Sequence, residues 1–172
     1  MVHANPGAGG AWREWKAWYY DTVDEAGLTN EVFAPGTLHI DYTSILGGQP
    51  FDIDASAWTT QLIGMLRRLD GKQHLYTAVL AELPQPGAGQ ARPETCKAYS
   101  QGGASMVVQA VPGGHIMQNG AQATFEMVRV PELEAKGLNP WRIRGQTVNL
   151  AWQNGNKAVV DSIKTDRTGE EN

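Results

Sequence analysis

The sequence predicts an α+β fold, and three observations predict it. Helical periodicity is confined to the chain before Gly71. From Gln73 onward the chain is a succession of β-rich runs separated by Gly/Pro turns. Helices first and consecutive strands afterwards is the order of an α+β domain. Gly102, Gly120 and Gly145 fall inside strand patterns, where glycine marks bulges that bend a sheet. The expected result is a long, curved antiparallel sheet packed round the N-terminal helices, forming a cone open at one end.

Ala11 to Val23 reads as a helix because Trp15, Trp18 and Tyr19 fall at i, i+3 and i+4. A short helix over Thr29 to Phe33 follows, stopped by Pro35-Gly36. Thr37 to Thr43 alternates, with Leu38, Ile40 and Tyr42 on one face and His39 and Asp41 on the other, so it reads as a strand. After the Gly47-Gly48-Gln49-Pro50 turn, Asp54 is placed to cap a helix from Ala55 to Leu69, and Asp70-Gly71 ends that helix. The apolar positions of this helix are Trp58, Leu62, Met65, Leu66 and Leu69.

Gln73 to Leu83 is the next strand, and Pro84 to Pro93 a Pro/Gly/Ala loop. Thr95 to Gln101 and Ser105 to Val111 read as two strands around Gly102-Gly103. Pro112-Gly113-Gly114 turns the chain into a long strand, Gln118 to Val130. A loop through Pro140 leads to a final strand, Trp141 to Trp152. One domain is expected over residues 11–163, with a flexible lead over 1–10 and a polar C-terminal tail from Lys164.

Composition narrows the function. A net charge of −4 over 172 residues, with no basic stripe, argues against a nucleic-acid surface. No run of ~20 apolar residues is present, so no membrane-spanning helix is expected. The N-terminal residues lack the basic start and apolar core of a secretory signal. Cys96 is the sole cysteine, which excludes an internal disulfide and a thiolate metal cluster. A reducing cytoplasm is the simplest setting. The four histidines are far apart in sequence with no metal-ligand spacing, and no glycine loop has the strand–turn–helix context of a phosphate or dinucleotide site.

The chemistry-bearing residues are scattered through apolar segments. Tyr20 and Asp21 end the aromatic helix, Tyr42 ends a strand, and His74 lies in another strand beside Leu75. Brought together, they supply an acid/base pair and hydroxyl donors in an apolar pocket. Imidazole takes and gives protons near neutral pH, and a carboxylate on its second nitrogen fixes the tautomer. An acid at a helix C-terminus opposes the helix dipole, so another interaction is expected to hold Asp21 there. Asp24 is its rival for the role. Tyr20 and Tyr42 read equally as hydroxyl donors or as core. Trp18, Met65, Met106 and Phe125 are candidates for the pocket wall, with plain core filling as the alternative. His39, Asp41 and His115 read as surface residues.

The ordered set Phe33-Ala34-Pro35, Ile40-Asp41-Tyr42-Thr43-Ser44, Gly47-Gly48, Gln73-His74-Leu75 and Trp152-Gln153-Asn154-Gly155-Asn156 resembles the SnoaL-like branch of the nuclear-transport-factor-2-like (NTF2-like) superfamily. Within that branch it is similar to scytalone dehydratase and related secondary-metabolism cyclases and isomerases. The resemblance implies a cone-shaped α+β barrel with a deep apolar pocket and cofactor-free dehydration, isomerisation or cyclisation of a polyketide- or terpenoid-like intermediate. It also implies a homodimer or homotrimer. It assigns catalytic roles to Tyr20, Asp21, Tyr42 and His74, and places Gln122 and Thr124 near a polar substrate-binding pair. The second histidine of scytalone dehydratase has no counterpart here, since Ala104, Ser105 or Met106 falls at that position. A different substrate or proton route is therefore expected. The same scaffold also accommodates non-catalytic binders of small apolar ligands.

Overall fold

The computed structural model describes residues 11–84 and 89–164. The expected N-terminal lead, the tail beyond Lys164 and the middle of the Pro84–Pro93 loop lie outside the described residues. Helix α1 (Ala11–Thr22) comes first, then α2 (Glu25–Gly27) running directly into a π-helical turn, Leu28–Val32. Strand β1 (Thr37–Asp41), α3 (Thr43–Leu46), β2 (Phe51–Asp54) and α4 (Ala55–Arg67) follow. Then come β3 (Gly71–Ala81), β4 (Thr95–Val107), β5 (Ile116–Arg129), α5 (Pro131–Glu134), β6 (Trp141–Gly155) and α6 (Ala158–Ile163).

Local chemistry accounts for the helix ends. The Thr22 hydroxyl turns back onto the Trp18 carbonyl at 2.7 Å, and α1 closes with the Asp24 N–H on the Tyr19 carbonyl. Between them Val23 takes φ +59°, a left-handed conformation that costs a β-branched residue roughly 1–2 kcal/mol. That turn lets Asp24 cap α2 by accepting the Gly27 N–H at 2.8 Å. Asp54 caps α4 through the Ser56 and Ala57 N–H groups. Trp58, Leu62, Met65 and Leu66 then face inward at helical spacing.

The six strands form one sheet in the order β2-β1-β6-β5-β4-β3. Strands β3 to β6 are consecutive antiparallel neighbours, as expected. The expectation of a wholly antiparallel sheet fails at one pair, β1 against β6, which is parallel. After β2 the chain crosses through α4 to the far edge before laying down β3 to β6, so β6 arrives beside β1 running the same way. The region expected to be two strands around Gly102-Gly103 is the single strand β4, because both glycines stay in register with β3 and β5.

Register shifts next to Gly120 and between Glu126 and Met127, the latter opposite Gly145, bend β5 and β6 as expected. Gly102 itself is regularly paired. The third irregularity lies in β3, between Thr77 and Leu80. The concave side of the sheet holds the core, including Leu38, Ile40, Phe125 and Ile143, all essentially buried. Helix α6 is an element beyond those expected from the sequence, and it buries Val159, Val160 and Ile163.

Candidate active site

An apolar cavity of about 130 Å³ opens inside the cone, close in size to an engineered ~150 Å³ protein cavity that holds one benzene ring. Helix α4 supplies Trp58, Leu62 and Met65 to its wall, and α6 supplies Val160 and Ile163. Five polar side chains, Tyr20, Tyr42, His74, Tyr76 and Asn119, are set among these.

Asp21 and His74 meet, although 53 residues separate them. The last turn of α1 carries Asp21 to the start of β3, where its Oδ1 lies 2.7 Å from His74 Nδ1. Its two oxygens also accept the His74 backbone N–H, at 2.9 and 3.1 Å. This double attachment is what holds an acid at a helix C-terminus against the dipole. It fixes the ring's position, and because a carboxylate only accepts, it favours the tautomer with the proton on Nδ1, which leaves Nε2 as the acceptor. The Tyr20 ring packs edge-on against the imidazole, 5.2 Å between centroids. Asp24 is excluded from this role by its work as the α2 cap.

Tyr42 lies one residue past β1, as the N-cap of α3, and faces inward as its alternation predicts. It stacks at a tilt on Trp58, 5.7 Å between centroids. Its hydroxyl oxygen accepts the Gln146 amide N–H at 2.5 Å. The Tyr20 hydroxyl lies beside Tyr42 and Gln146 without a well-aligned hydrogen bond to either. Burial pushes the Tyr42 hydroxyl up to about 12 and Tyr20 well above its ordinary value. Both therefore stay protonated at neutral pH and act as donors.

Of the expected wall residues, Met65 and Met106 line the cavity. Trp18 does not: it is 65% exposed on the outer side of α1, because the inward stripe of that helix runs through Lys16 and Tyr20. Gln122 is exposed and Thr124 sits on the same outer face, since Asn119, Ala121 and Ala123 of β5 point inward and their neighbours must point out. Phe125 is fully buried beneath the site, behind the cavity wall.

Tyr76, Asn119 and Trp58 in the cavity wall, and Lys16 behind it, were not singled out for the site from sequence. Asn119 is buried in the wall with its Oδ1 on the Ala104 N–H at 3.1 Å, so its NH₂ is what it offers a ligand. Trp58, read only as core, has its indole N–H buried without a partner among the described residues. Lys16 is fully buried and bonds Gln146. The sequence signal for Lys16 was its spacing, four residues before Tyr20 on the same helix face. Among the described residues, no three His, Cys, Asp or Glu side chains cluster as a metal site requires.

No family model and no curated protein matches the sequence. Solved structures do match the fold. One is Kfla4162 from Kribbella flavida, at TM-score 0.70 and 16% identity over 86% of this chain and 90% of that one. A candidate scytalone dehydratase from Novosphingobium aromaticivorans matches at TM-score 0.60 and 11% identity, over 81% and 79%. A candidate dehydratase of the NTF2-like family from Streptomyces avermitilis matches at TM-score 0.57 and 11% identity, over 81% and 90%. The chain has the cone-shaped α+β fold of these solved structures, one of which is described as NTF2-like and two as candidate dehydratases.

Proposed function

We propose that this protein is a cofactor-independent acid/base enzyme, a dehydratase or isomerase acting on a small apolar carbonyl compound of secondary metabolism. The observation that carries the reading is the Asp21–His74 pair set into an apolar cavity beside two buried phenols. His74 Nε2 removes a proton from the carbon next to the carbonyl, and Asp21 holds the resulting imidazolium. The electron pair left on carbon moves into an enolate, whose oxygen takes hydrogen bonds from Tyr42 and Tyr20. When the enolate collapses, the imidazolium returns the proton. Delivered to a β-hydroxyl, it releases water and leaves a C=C bond. Delivered to a more distant carbon of the conjugated system, it completes an isomerisation.

The cavity suits one ring better than a fused polycycle, which favours dehydration or isomerisation over polycyclisation. A non-catalytic binder is the second reading, favoured by Ala104 standing directly across the strand pair from His74, where no second base is present. Exchange of solvent deuterium into the α position of one-ring ketones such as cyclohex-2-enone separates the two. Catalysed exchange that disappears with His74→Ala supports the enzyme. Binding without exchange supports the binder.

The partner proposed for the outer sheet face is a second copy of this chain, as a homodimer or homotrimer. Leu75, Gly103, Gly120 and Trp152 face one another across four strands. Leu75 and Trp152 are 58% and 56% exposed. The indole lies where a Gly120 side chain would be, so the strip between them is shallow. A flat apolar strip of this kind is suited to a like surface. Sedimentation of wild type is expected to give a dimer or trimer, and Trp152→Glu a monomer. A monomeric wild type, or an unchanged variant, contradicts this.

A further inference from the structure

Lys16 is fully buried, and no carboxylate offsets its charge among the described residues. Its ammonium is surrounded by rings instead, 4.3 Å from the Phe125 centroid and 5.3 Å from those of Tyr20 and Tyr76. Its polar partner among the described residues is Gln146 Oε1, at 2.6 Å. Gln146 is itself buried, and its Nε2 donates to the Tyr42 hydroxyl. Burying an uncompensated lysine costs a domain stability, and the desolvation lowers its pKa well below 10.5. The placement therefore calls for a reason beyond packing.

The donor–acceptor arithmetic supplies one. An ammonium has only donors. The Gln146 amide must turn its oxygen to Lys16, and its NH₂ then goes to Tyr42. The Tyr42 oxygen is committed as an acceptor, so the hydroxyl hydrogen is left for the cavity that Tyr42 lines. With an apolar residue at position 16 the amide is free to flip. Tyr42 would then donate to Gln146 and show the cavity a lone pair.

We propose that Lys16, acting through Gln146, is a positioning residue that makes the Tyr42–Tyr20 end of the cavity an oxyanion site. The substrate class it fits is a one-ring ketone or enone whose carbonyl oxygen becomes anionic during reaction. The inference rests on reading the cavity as a proton-transfer site and specifies where the charge develops. Lys16 touches neither the cavity nor the reacting atoms. As an ammonium, the form its three ring contacts suit, it fixes a hydrogen-bond direction and sets a positive charge behind it.

The probe is 4-nitrophenol, a one-ring phenol whose absorbance reports its ionisation, with nitrobenzene as its uncharged counterpart. Wild type is expected to prefer the phenolate by about tenfold, lowering the bound probe's ionisation midpoint by about one pH unit. Lys16→Met and Gln146→Leu are each expected to abolish that preference while nitrobenzene affinity stays within about twofold. The second variant keeps the test decisive if the first fails to fold, since it breaks the chain with the lysine in place. A phenolate preference that survives both substitutions overturns the role of Lys16. Wild type that binds nitrobenzene without preferring phenolate overturns the oxyanion site alone. Failure of wild type to bind either probe overturns the cavity reading and this inference with it.

Discussion

His74→Ala is expected to lower solvent-deuterium exchange into a one-ring ketone by about 10²–10⁴-fold, the range for removing a positioned general base. The fold should survive, because the His74 backbone N–H still reaches the Asp21 carboxylate in the variant and the side chain is only partly buried. The loss should therefore appear at unchanged far-ultraviolet circular dichroism and near-unchanged affinity for nitrobenzene. Tyr42→Phe keeps the ring stacked on Trp58 and removes only the hydroxyl. A smaller loss is expected there, since Tyr20 remains as a donor. Exchange that persists at the wild-type rate in His74→Ala would remove the imidazole from the chemistry.

Phe125→Ala is expected to cost about 3–5 kcal/mol of stability, the range for emptying a buried aromatic site. It also removes the ring nearest to the Lys16 ammonium, adding up to about 2 kcal/mol for a desolvated cation–π contact. Against a total stability of about 5–15 kcal/mol, this places the variant near unfolding. Urea titration measures it directly. The pH dependence carries a second signature. Burial lowers the Lys16 pKa in the folded chain, so the unfolded chain binds that proton more tightly. Wild type therefore gains stability as pH rises from the folded-state pKa towards the unfolded value near 10.5. Lys16→Met is expected to flatten this rise. A Phe125→Ala variant that loses less than about 1 kcal/mol would show that the site relaxes readily and that the ring does little to hold the lysine.

Much of this arrangement was legible in the residues. The α+β order followed from where periodicity changes, and the capping role of Asp54 from its place before an apolar helix. The helix dipole singled out Asp21 as an acid in need of a partner, while its catalytic pairing with His74 came from the resemblance to scytalone dehydratase, with Asp24 as the rival. Other features were hidden for physical reasons. On α1 the aromatic spacing counted Trp18 towards the pocket, and Trp18 is exposed. The inward positions are Lys16 and Tyr20, and a lone lysine ordinarily marks a solvated face. On β5 the side-chain period of two means that a register error of one residue exchanges inside for outside. That is why Gln122 and Thr124 stood in for the inward-facing Asn119. The parallel pairing of β1 with β6 depends on a crossover that no local pattern records.

The proposed chemistry requires Asp21 to fix His74 with Nε2 unprotonated towards the cavity. Nitrogen-15 NMR of the histidine ring, in wild type and Asp21→Asn, tests it most directly. The neutral ring of wild type is expected to be the Nδ1–H tautomer, and Asp21→Asn is expected to lose that preference. An Nε2–H tautomer in wild type, or one unaltered by the substitution, would contradict the account, because the nitrogen facing the cavity would have no lone pair with which to take a proton.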